Sequence, residues 1–493
     1  MNRRDFTRFA AVGTTAVAGG VLAEKSRQPN ILWIITDEHN FRTLGCYRKL
    51  LDEKRARPWG ETVVETPNID WLADNGAVFT QMYSSSPVCS PCRSSMFTGQ
   101  YPQTVNMPRN DMVMDERYPT IASVLSEAGY HTGYSGKWHL SGEAKPGWEP
   151  KPCYGFQDNR YMFNRGHWKK MGFEKSGVPC VAARDAKGRP SYQVDGADEK
   201  SFTTDWLADR TIEFIEEHKT SPFYYVCSIP DPHGPNSVRE PYSSMYKDVE
   251  FEIPESFYYE IRKDDPKWRA ADPTIKGEQT LREIYPQYYG MVKCIDDNVG
   301  RIVNKLKAEG LLENTIILFA SDHGDLMGEH HRLNKGVPYE GSAKIPFVLY
   351  YPKAVPAGTR VTKAANATDW METFLSLAGV KNRPKTAGRD LTPLIHNDHP
   401  KNWDDITFSR MGGWIAAFDS RYKLILDNTN AGPWLMDNVE DPEERYNLYG
   451  DPAYKAVIRH LAQKLKGYVE AHNEPLGKND KVMKKLNAAL SYR

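Results

Sequence analysis

The chain has 493 residues, of which 40% are hydrophobic and 26% are charged, the composition of a globular protein long enough to bury a large core. Its 64 basic residues balance 64 acidic residues, so the formal net charge is zero. General nucleic-acid-binding proteins carry a basic surplus, and we therefore expect no nucleic-acid partner.

The N-terminus has the pattern of an export signal. Arg3 and Arg4 open a basic segment, which is followed by a short, mildly apolar run that is rich in Ala, Gly and Thr and ends at Ala23. This order is typical of secretory signals, and the paired arginines are typical of the twin-arginine kind. A membrane anchor needs about 20 strongly apolar residues, more than this run provides. Residues 1–23 are therefore predicted to be a twin-arginine-type signal peptide, and the mature protein to be periplasmic or secreted in a bacterium, without a stable membrane anchor.

The mature chain alternates strand and helix patterns, which predicts an α/β fold with a large, mostly parallel sheet flanked by helices. Residues 30–36 form a continuous apolar run that suits a buried central strand. Further strands are expected at residues 131–135, 223–229, 315–320 and 345–350, and helices at 120–128, 204–218 and 288–309. Residues 146–201 and 241–280 are rich in Gly, Pro and aromatic residues and are predicted to be loops, which at such lengths are often functional.

Charged or imidazole side chains follow four of these predicted strands. In chain order they are Asp37 and Glu38, Lys137 and His139, Asp231 and His233, and Asp322 and His323. Open α/β sheets bind ligands at the carboxyl ends of their strands. The pattern therefore predicts a functional site at one edge of the sheet.

Beyond about residue 395 the pattern changes. Residues 421–427 and 434–437 have the pattern of short antiparallel strands, and a helix is expected from residue 452 to residue 472. We therefore divide the mature chain into a main domain at residues 28–395 and a smaller C-terminal subdomain at residues 396–493, which contains an antiparallel sheet and a helix.

The most informative segment runs from Pro87 to Pro102 and contains Cys89-x-Pro-x-Arg93, followed by Thr98-Gly99. The seven cysteines of the chain form no dense disulfide framework. Read alone, Cys89-x-x-Cys92 also fits a redox dithiol. The proline and arginine of the segment, together with the motifs described next, disfavour that interpretation.

This segment resembles the signature of type I sulfatases, the formylglycine-dependent members of the alkaline-phosphatase-like superfamily. The further motifs of the family found here are Gly136-Lys-Trp-His139, Ser321-Asp-His-Gly324, Lys335 with Tyr339-Glu-Gly341, Ile345-Pro346, and Asp441-Pro442 with Asn447-Leu448. The resemblance extends from Asn30 to about Leu448. It implies an alkaline-phosphatase-like fold and hydrolysis of sulfate esters, and an exported bacterial protein of this kind is expected to act on a sulfated sugar or polysaccharide fragment.

The resemblance also implies a set of residues that carry the reaction. They are Cys89, Arg93, Lys137, His139, His233 and Lys335. In this family a sulfatase-maturating enzyme oxidises the motif cysteine to formylglycine, and one hydroxyl of the hydrated aldehyde attacks sulfur. The other hydroxyl later expels sulfate as the aldehyde reforms.

Each of these side chains has an expected task. Arg93 and Lys137 are expected to hold the aldehyde hydrate and a sulfate oxygen, and His139 to accept a proton during sulfate release. His233 is expected to protonate the leaving group, while Lys335 binds a sulfate oxygen on the ester side.

A second implied set holds a divalent metal ion and consists of Asp37, Glu38, Cys89, Asp322 and His323. Two carboxylates about 4 Å apart repel by about 4 kcal/mol at an effective dielectric constant near 20, so three together require a cation or a proton. Oxygen ligands favour Ca²⁺ or Mg²⁺, and the resemblance implies Ca²⁺. Glu38 stands where the family more often has Asp or Gln.

Sugar contacts are expected from loops near the motifs and from the C-terminal subdomain. The candidates are Arg109, Asn110, His330, Arg332 and Trp414. Two other functions fit the same residues, namely hydrolysis of phosphate or phosphonate esters, as in related enzymes of the superfamily, and binding of sulfated glycans without catalysis.

Overall fold

The computed structural model describes residues 28–397 and 400–492. The predicted signal peptide at residues 1–23 lies outside the described residues. Within the described part of the chain, no helix is both long enough and apolar enough to cross a membrane.

Strands and helices alternate through the first three quarters of the described chain. The strands are β1 (Asn30–Asp37), β2 (Ala77–Phe79), β3 (Met82–Tyr83), β4 (His131–Lys137), β5 (Asp158–Phe163), β6 (Met171–Phe173), β7 (Pro179–Val181), β8 (Phe223–Pro232), β9 (Thr315–Ser321), β10 (Phe347–Tyr350), β11 (Thr359–Val361), β12 (Ala365–Asn366), β13 (Thr407–Met411), β14 (Trp414–Phe418), β15 (Tyr422–Asp427) and β16 (Trp434–Asp437). The helices are α1 (Gly45–Arg48), α2 (Glu53–Ala56), α3 (Pro67–Asp74), α4 (Cys89–Thr98), α5 (Ile121–Glu127), α6 (Thr203–His218), α7 (Tyr242–Met245), α8 (Glu278–Ala308), α9 (Glu340–Ala343), α10 (Trp370–Leu377), α11 (Thr392–His396), α12 (Lys455–Ala471) and α13 (Asp480–Leu490).

The main sheet has eight strands in the order β11-β2-β10-β9-β1-β8-β4-β5. All neighbouring pairs are parallel except the two that involve β10. The predicted α/β fold with a large, mostly parallel sheet is therefore confirmed. Since β9, β1, β8 and β4 are adjacent and parallel, their carboxyl ends meet at one edge.

The central strand β1 separates two hydrophobic cores. Ile31, Trp33 and Ile35 pack on one face, against residues of α4, α5 and α10. Leu32 and Ile34 pack on the other face, against α6 and α8. A strand that is covered on both faces carries a continuous apolar run rather than an alternating one, as the sequence of β1 does.

The predicted elements match the observed ones more closely in the core than at the edges. Helix α8 begins at Glu278, ten residues before the predicted start, and continues through Pro286. Its first turns are held by the buried side chains of Leu281 and Tyr285, so packing overrides the proline. The edge strand β5 lies within a segment predicted to be loop, because its half-exposed polar residues hide the strand pattern.

The C-terminal part of the chain contains a four-stranded antiparallel sheet, β13-β14-β15-β16, with α12 and α13 packed on one face. The prediction of an antiparallel sheet and a helix there is confirmed, although β13, β14 and α13 were not predicted. The opposite face, which includes Trp414 and Phe418, packs on Tyr83 and Tyr339 of the preceding chain. The boundary near residue 395 stays a prediction, and it falls at the end of α11.

A buried ion network joins this sheet to the rest of the molecule. Lys423 of β15 is fully buried, and its Nζ lies 2.7 Å from Glu444 Oε1 and 3.4 Å from Glu340 Oε1. Glu444 Oε2 accepts a hydrogen bond from the backbone N–H of Glu340 (2.7 Å), and Lys344 Nζ lies 2.6 Å from Glu340 Oε2. The motif residue Glu340 therefore connects two parts of the fold.

We expect Lys423→Met to lower the free energy of unfolding by about 3–5 kcal/mol, because it leaves the buried Glu444 carboxylate without its partner. Urea unfolding followed by circular dichroism measures this change. The matched control is Lys464→Met, which breaks the exposed Lys464–Asp404 pair and should cost less than about 1 kcal/mol. Equal effects of the two substitutions would contradict the structural role of the network.

Candidate active site

The carboxyl ends of the four central strands bring the predicted polar residues together. Asp37 and Lys137 are the last residues of β1 and β4, and Asp322 and His233 directly follow β9 and β8. The side chains of Asp37, Lys137 and Asp322 are fully buried. The sheet topology therefore places these groups at one edge, as the sequence pattern predicted.

Two motif glycines allow the strand ends to approach closely. A Cβ on Gly136, just before Lys137, would lie 1.9 Å from the carbonyl oxygen of Ser228 on the neighbouring strand. Gly136 also has a φ of +96°, a conformation that favours glycine. A Cβ on Gly324, two residues after Asp322, would lie 2.1 Å from the carbonyl oxygen of Gly341.

Cys89 is the first residue of α4, where free backbone N–H groups favour anions. Its Sγ lies 3.6 Å from Asp37 Oδ1, 3.2 Å from His323 Nε2 and 3.5 Å from Lys137 Nζ. Pro91 is tolerated in the first helical turn because its missing N–H would have no partner there. The nucleophile predicted from the motif is therefore surrounded by the charged strand-end groups.

Arg93 lies one turn after Cys89 on the same helix, and its side chain is fully buried. Its Nε donates to Asp322 Oδ2 (2.8 Å), and its Nη1 donates to the carbonyl oxygen of Lys137 (2.7 Å) and to Ser228 Oγ (2.8 Å). Its Nη2 is buried without a hydrogen-bond partner among the described residues. Arg93 therefore ties α4 to the strand ends and keeps one donor group unused.

The buried carboxylate of Asp37 is compensated by several cations. Lys137 Nζ donates to Asp37 Oδ2, and Arg93 Nη2 lies 3.6 Å from the same oxygen. Burial opposes ionisation, but Lys137 and the other neighbouring groups outweigh it and hold the pKa of Asp37 well below its usual range. Asp37 is therefore an anion at neutral pH.

Four of the five predicted metal ligands form a compact cluster. Ligand atoms of Asp37, Cys89, Asp322 and His323 all lie within 4.8 Å of one another. Nδ1 of His323 pairs with the carbonyl oxygen of Gly324 at 3.1 Å, which leaves its Nε2 facing the cluster. Although burial disfavours the charged ring, Asp322 and Cys89 raise the pKa of His323 to about 9. A cluster that attracts positive charge in this way fits a divalent cation, and its carboxylate oxygens suit Ca²⁺ or Mg²⁺.

Glu38, the fifth predicted ligand, directs its Oε2 away from this cluster and toward Lys335 and His233. That oxygen lies 2.9 Å from both Lys335 Nζ and His233 Nε2, whereas its Oε1 is buried without a hydrogen-bond partner among the described residues. Burial opposes ionisation of Glu38, but His233 and Lys335 lower its pKa to about 2. Its backbone has a φ of 64°, a strained value that is often found at functional sites. Because Oε1 has no partner among the described residues, Glu38 is still a candidate ligand, and its direct binding to the metal stays a prediction.

His233 and Lys335 form a pair on the other side of the site. Lys335 Nζ lies 2.6 Å from His233 Nε2, and His233 Nδ1 lies 2.8 Å from the carbonyl oxygen of Gly234. Burial lowers the pKa of His233, so the ring accepts at Nε2 and donates at Nδ1. Asp231, two residues earlier, instead forms a buried ion pair with Lys169 (2.6 Å) and anchors the strand end.

His139 lies on the helix side of the site and has a φ of 64°. Its Nε2 pairs with Asp111 Oδ1 at 3.0 Å, and Asp111 Oδ2 pairs with Arg165 at 2.8 Å. Its carbonyl oxygen accepts from Ser90 Oγ (2.6 Å). Burial and the nearby Lys137 ammonium hold the pKa of His139 well below its usual range, so the ring is neutral and able to accept a proton.

The five predicted sugar contacts are dispersed. Arg109 is exposed, and Asn110 accepts from the backbone N–H of Ser90 (3.0 Å) at the start of α4. Trp414 is buried and donates to the carbonyl oxygen of Gly336 (3.1 Å), next to Lys335. His330 stacks on Tyr339 with ring centroids 3.6 Å apart and lines a separate cavity of about 390 Å³. Arg332 donates to the carbonyl oxygen of Ala270.

Three site residues were not predicted from the sequence. They are Asp111, His167 and Ser228, which contact His139, Lys137 and Arg93 respectively. Asp111 is next to Asn110, a predicted sugar contact. Ser228 lies in a strand that was predicted from its apolar residues alone. His167 lies in a segment predicted to be loop, where nothing in the sequence distinguishes it.

The structure does not favour a redox role for the Cys89-x-x-Cys92 pair. All seven cysteines are free. Burial and the charge of Asp322 raise the pKa of Cys92 to about 12, whereas redox-active thiols have lowered pKa values.

The chain matches the family model for sulfatases over residues 29–380. A second model, for the C-terminal part of N-sulphoglucosamine sulphohydrolase, matches residues 328–471. Because the first match covers well over half of the chain, the protein belongs to the sulfatase family. The resemblance found in the motifs is confirmed, and with it the expectation of a sulfuric ester hydrolase.

Named relatives span nearly the whole chain. An ulvan-active sulfatase from Formosa agariphila is 28% identical over 483 residues, which cover 94% of this chain and 85% of the relative. An N-acetylglucosamine-6-O-sulfatase from Bacteroides thetaiotaomicron is 25% identical over 511 residues, which cover 90% of this chain and 86% of the relative.

A similar solved structure shows the same fold. It is that of a protein bound to its substrate D-glucosamine-2-N,6-O-disulfate, and it has a TM-score of 0.74 at 22% identity. The match covers 93% of this chain and 100% of the other.

We expect Ca²⁺ at a hundredfold excess over its dissociation constant to raise the free energy of unfolding by about 3 kcal/mol, because a ligand that binds only the folded state shifts the folding equilibrium by this amount. Thermal unfolding with Ca²⁺ or with a chelator measures this effect. In Asp322→Asn most of the Ca²⁺-dependent stabilisation should be lost.

The matched control for this experiment is Asp325→Asn, which changes a buried carboxyl outside the cluster. The carboxyl oxygen Oδ1 of Asp325 accepts from two backbone N–H groups, a role that the amide oxygen of Asn can keep. Equal stabilisation of wild type and Asp322→Asn by Ca²⁺ would place the cation elsewhere.

Proposed function

We propose that this protein hydrolyses sulfate esters of a sugar or polysaccharide fragment, with a formylglycine made from Cys89 as the nucleophile. The observation that carries the proposal is the position of Cys89. Its Sγ lies at the start of α4 and within 3.6 Å of Asp37, His323 and Lys137. A group placed there is next to both a candidate cation cluster and cationic side chains.

The charge of the pocket suits an anionic substrate. Asp37, Glu38 and Asp322 contribute three negative charges, and Arg93, Lys137 and Lys335 contribute three positive charges, so the charges of these six side chains cancel. A bound divalent cation makes the pocket about +2 before substrate binds, which favours an anion such as a sulfate monoester. The unused Nη2 of Arg93 is a further donor in this pocket.

Asp37, Asp322 and His323 would hold the metal ion beside residue 89, with Glu38 as a further candidate ligand. When bound, the ion would supply Lewis-acid stabilisation of negative charge on the nucleophile and the sulfate. Family membership supports a divalent metal and formylglycine in general terms. We propose Ca²⁺ as the metal and a sulfatase-maturating enzyme as the partner that oxidises Cys89.

We assign the proton transfers to two histidines, His139 and His233. His139 is neutral and can accept the proton from a hydroxyl of the aldehyde hydrate when sulfate is released. His233 faces Lys335, whose ammonium donates to its Nε2. For His233 to protonate the departing ester oxygen, the Lys335 ammonium would pass a proton to Nε2 as that oxygen leaves, and Lys335 would later regain a proton from solvent.

A carbohydrate substrate and an exported location are the finer parts of the proposal. The relatives from Formosa and Bacteroides are named for action on ulvan and on N-acetylglucosamine-6-O-sulfate groups, which supports a sulfated sugar. The paired arginines near the N-terminus support export of the folded protein to the periplasm.

The proposal is tested with protein from a host that carries a maturating enzyme. Release of inorganic sulfate from sulfated monosaccharides and oligosaccharides is compared with hydrolysis of phosphate and phosphonate monoesters. Sulfate release that is lost in Cys89→Ala supports the proposal. Faster hydrolysis of the phosphorus esters, or glycan binding without turnover by matured protein, would replace it with one of the two alternatives.

The same assay tests the role of His233. We expect His233→Ala to lower kcat on a sulfated sugar by about 10²–10⁴-fold, the usual contribution of general-acid catalysis. An aryl sulfate with an acidic phenol should lose much less, because its leaving group departs without a proton. Equal losses on the two substrates would remove His233 from the leaving-group role.

A further inference from the structure

His167 is part of the site, although no sequence motif indicates it. It lies shortly after β5, and its Nε2 is 2.8 Å from Lys137 Nζ and 3.6 Å from Asp37 Oδ2. Its ring stacks on that of His233, with centroids 3.6 Å apart and planes within 9° of parallel. His167 therefore contacts groups on both sides of the site.

The lysine contacts favour one tautomer for each ring. A lysine ammonium can only donate, so Nε2 of His167 accepts from Lys137 and its proton lies on Nδ1. In the same way, Nε2 of His233 accepts from Lys335 (2.6 Å). The site thus contains two lysine–imidazole pairs side by side, with the two rings in face-to-face contact.

His167 is itself held by aromatic side chains. Its ring centroid lies 6.4 Å from that of Tyr192, which in turn packs on Trp168 at 4.7 Å. The Lys145 ammonium lies 4.6 Å from the centre of the Tyr192 ring. His233, by contrast, lies in the loop just after β8, where its two ring nitrogens are hydrogen-bonded and its ring face packs on His167.

Asp37, His167 and His233 also have the spacing of a possible metal site. However, the Lys137 ammonium already lies between Asp37 and His167 and contacts both. A cation at that position would have to displace a buried lysine, so the geometry favours a positioning role over a second metal.

We propose that His167 is a positioning residue for His233, holding its imidazole in the orientation in which Nε2 can take a proton from Lys335 and pass it to the leaving-group oxygen. This inference rests on the proposed sulfatase function. His167 acts on His233 through the ring stack and on Lys137 through a hydrogen bond, and these two contacts can be removed separately. The stack affects only the leaving group, whereas the contact with Lys137 affects all substrates.

The test compares three substitutions in protein whose formylglycine content has been matched by mass spectrometry. His167→Ala removes both contacts, His167→Gln keeps a hydrogen-bond acceptor without a ring, and His167→Phe keeps a ring without an acceptor. The readout is the ratio of kcat on a sulfated sugar to kcat on an aryl sulfate with an acidic phenol.

We expect the ratio to fall by about 10²-fold in His167→Ala and His167→Gln, the size of effect that a small misplacement of a catalytic group causes. In His167→Phe the ratio should stay near the wild-type value even if both rates fall. In the His233→Ala background, His167→Ala should lower the ratio no further.

The matched control is His131→Ala, which removes one ring of the stacked His131–His218 pair at the start of β4, the end of that strand opposite the site. It should leave the ratio unchanged. A wild-type ratio in both His167→Ala and His167→Gln, or equal ratios in His167→Phe and His167→Ala, would overturn the positioning role. Matured wild-type protein without sulfatase activity would instead overturn the proposed function, on which this inference rests.

Discussion

The structure depends on keeping several buried carboxylates charged at one edge of a parallel sheet. Asp37 and Asp322 are fully buried, and Arg93 contacts both of them. Removing such groups from water costs several kcal/mol each unless they are paired and hydrogen-bonded. The cationic side chains at this edge provide that compensation, and Arg93 also connects α4 to the strand ends.

The same arrangement gives the site its chemical character. The side chains that compensate the carboxylates are also hydrogen-bond donors, and in the proposed function this ion network would serve as the anion pocket. The start of α4 then adds backbone N–H groups at Cys89. In the proposed function, the pair of Lys335 and His233 would lie on the side from which the leaving group departs.

Much of this could be predicted from the sequence, for a physical reason in each case. The apolar run of β1 has to be buried on both faces, and polar residues directly after parallel strands have to meet at one edge. Cys89 and Arg93 lie one helical turn apart, so they share a face. The role of His167 could not be predicted, because its position depends on the path of a long loop. The orientation of the Glu38 carboxylate, which turns toward Lys335 and His233 through a strained backbone, could not be predicted either. The edge strand β5 was missed because it has no continuous apolar pattern.

The central claim is that residue 89 becomes the aldehyde on which the surrounding charges act. The most direct measurement is the mass of the peptide that contains Cys89, in protein from a host that converts a control sulfatase. We expect the mass to show replacement of the thiol group by an aldehyde, with Cys92 unmodified in its buried position. An intact Cys89 thiol in that host would contradict the claim and would favour a protein that binds sulfated glycans without hydrolysing them.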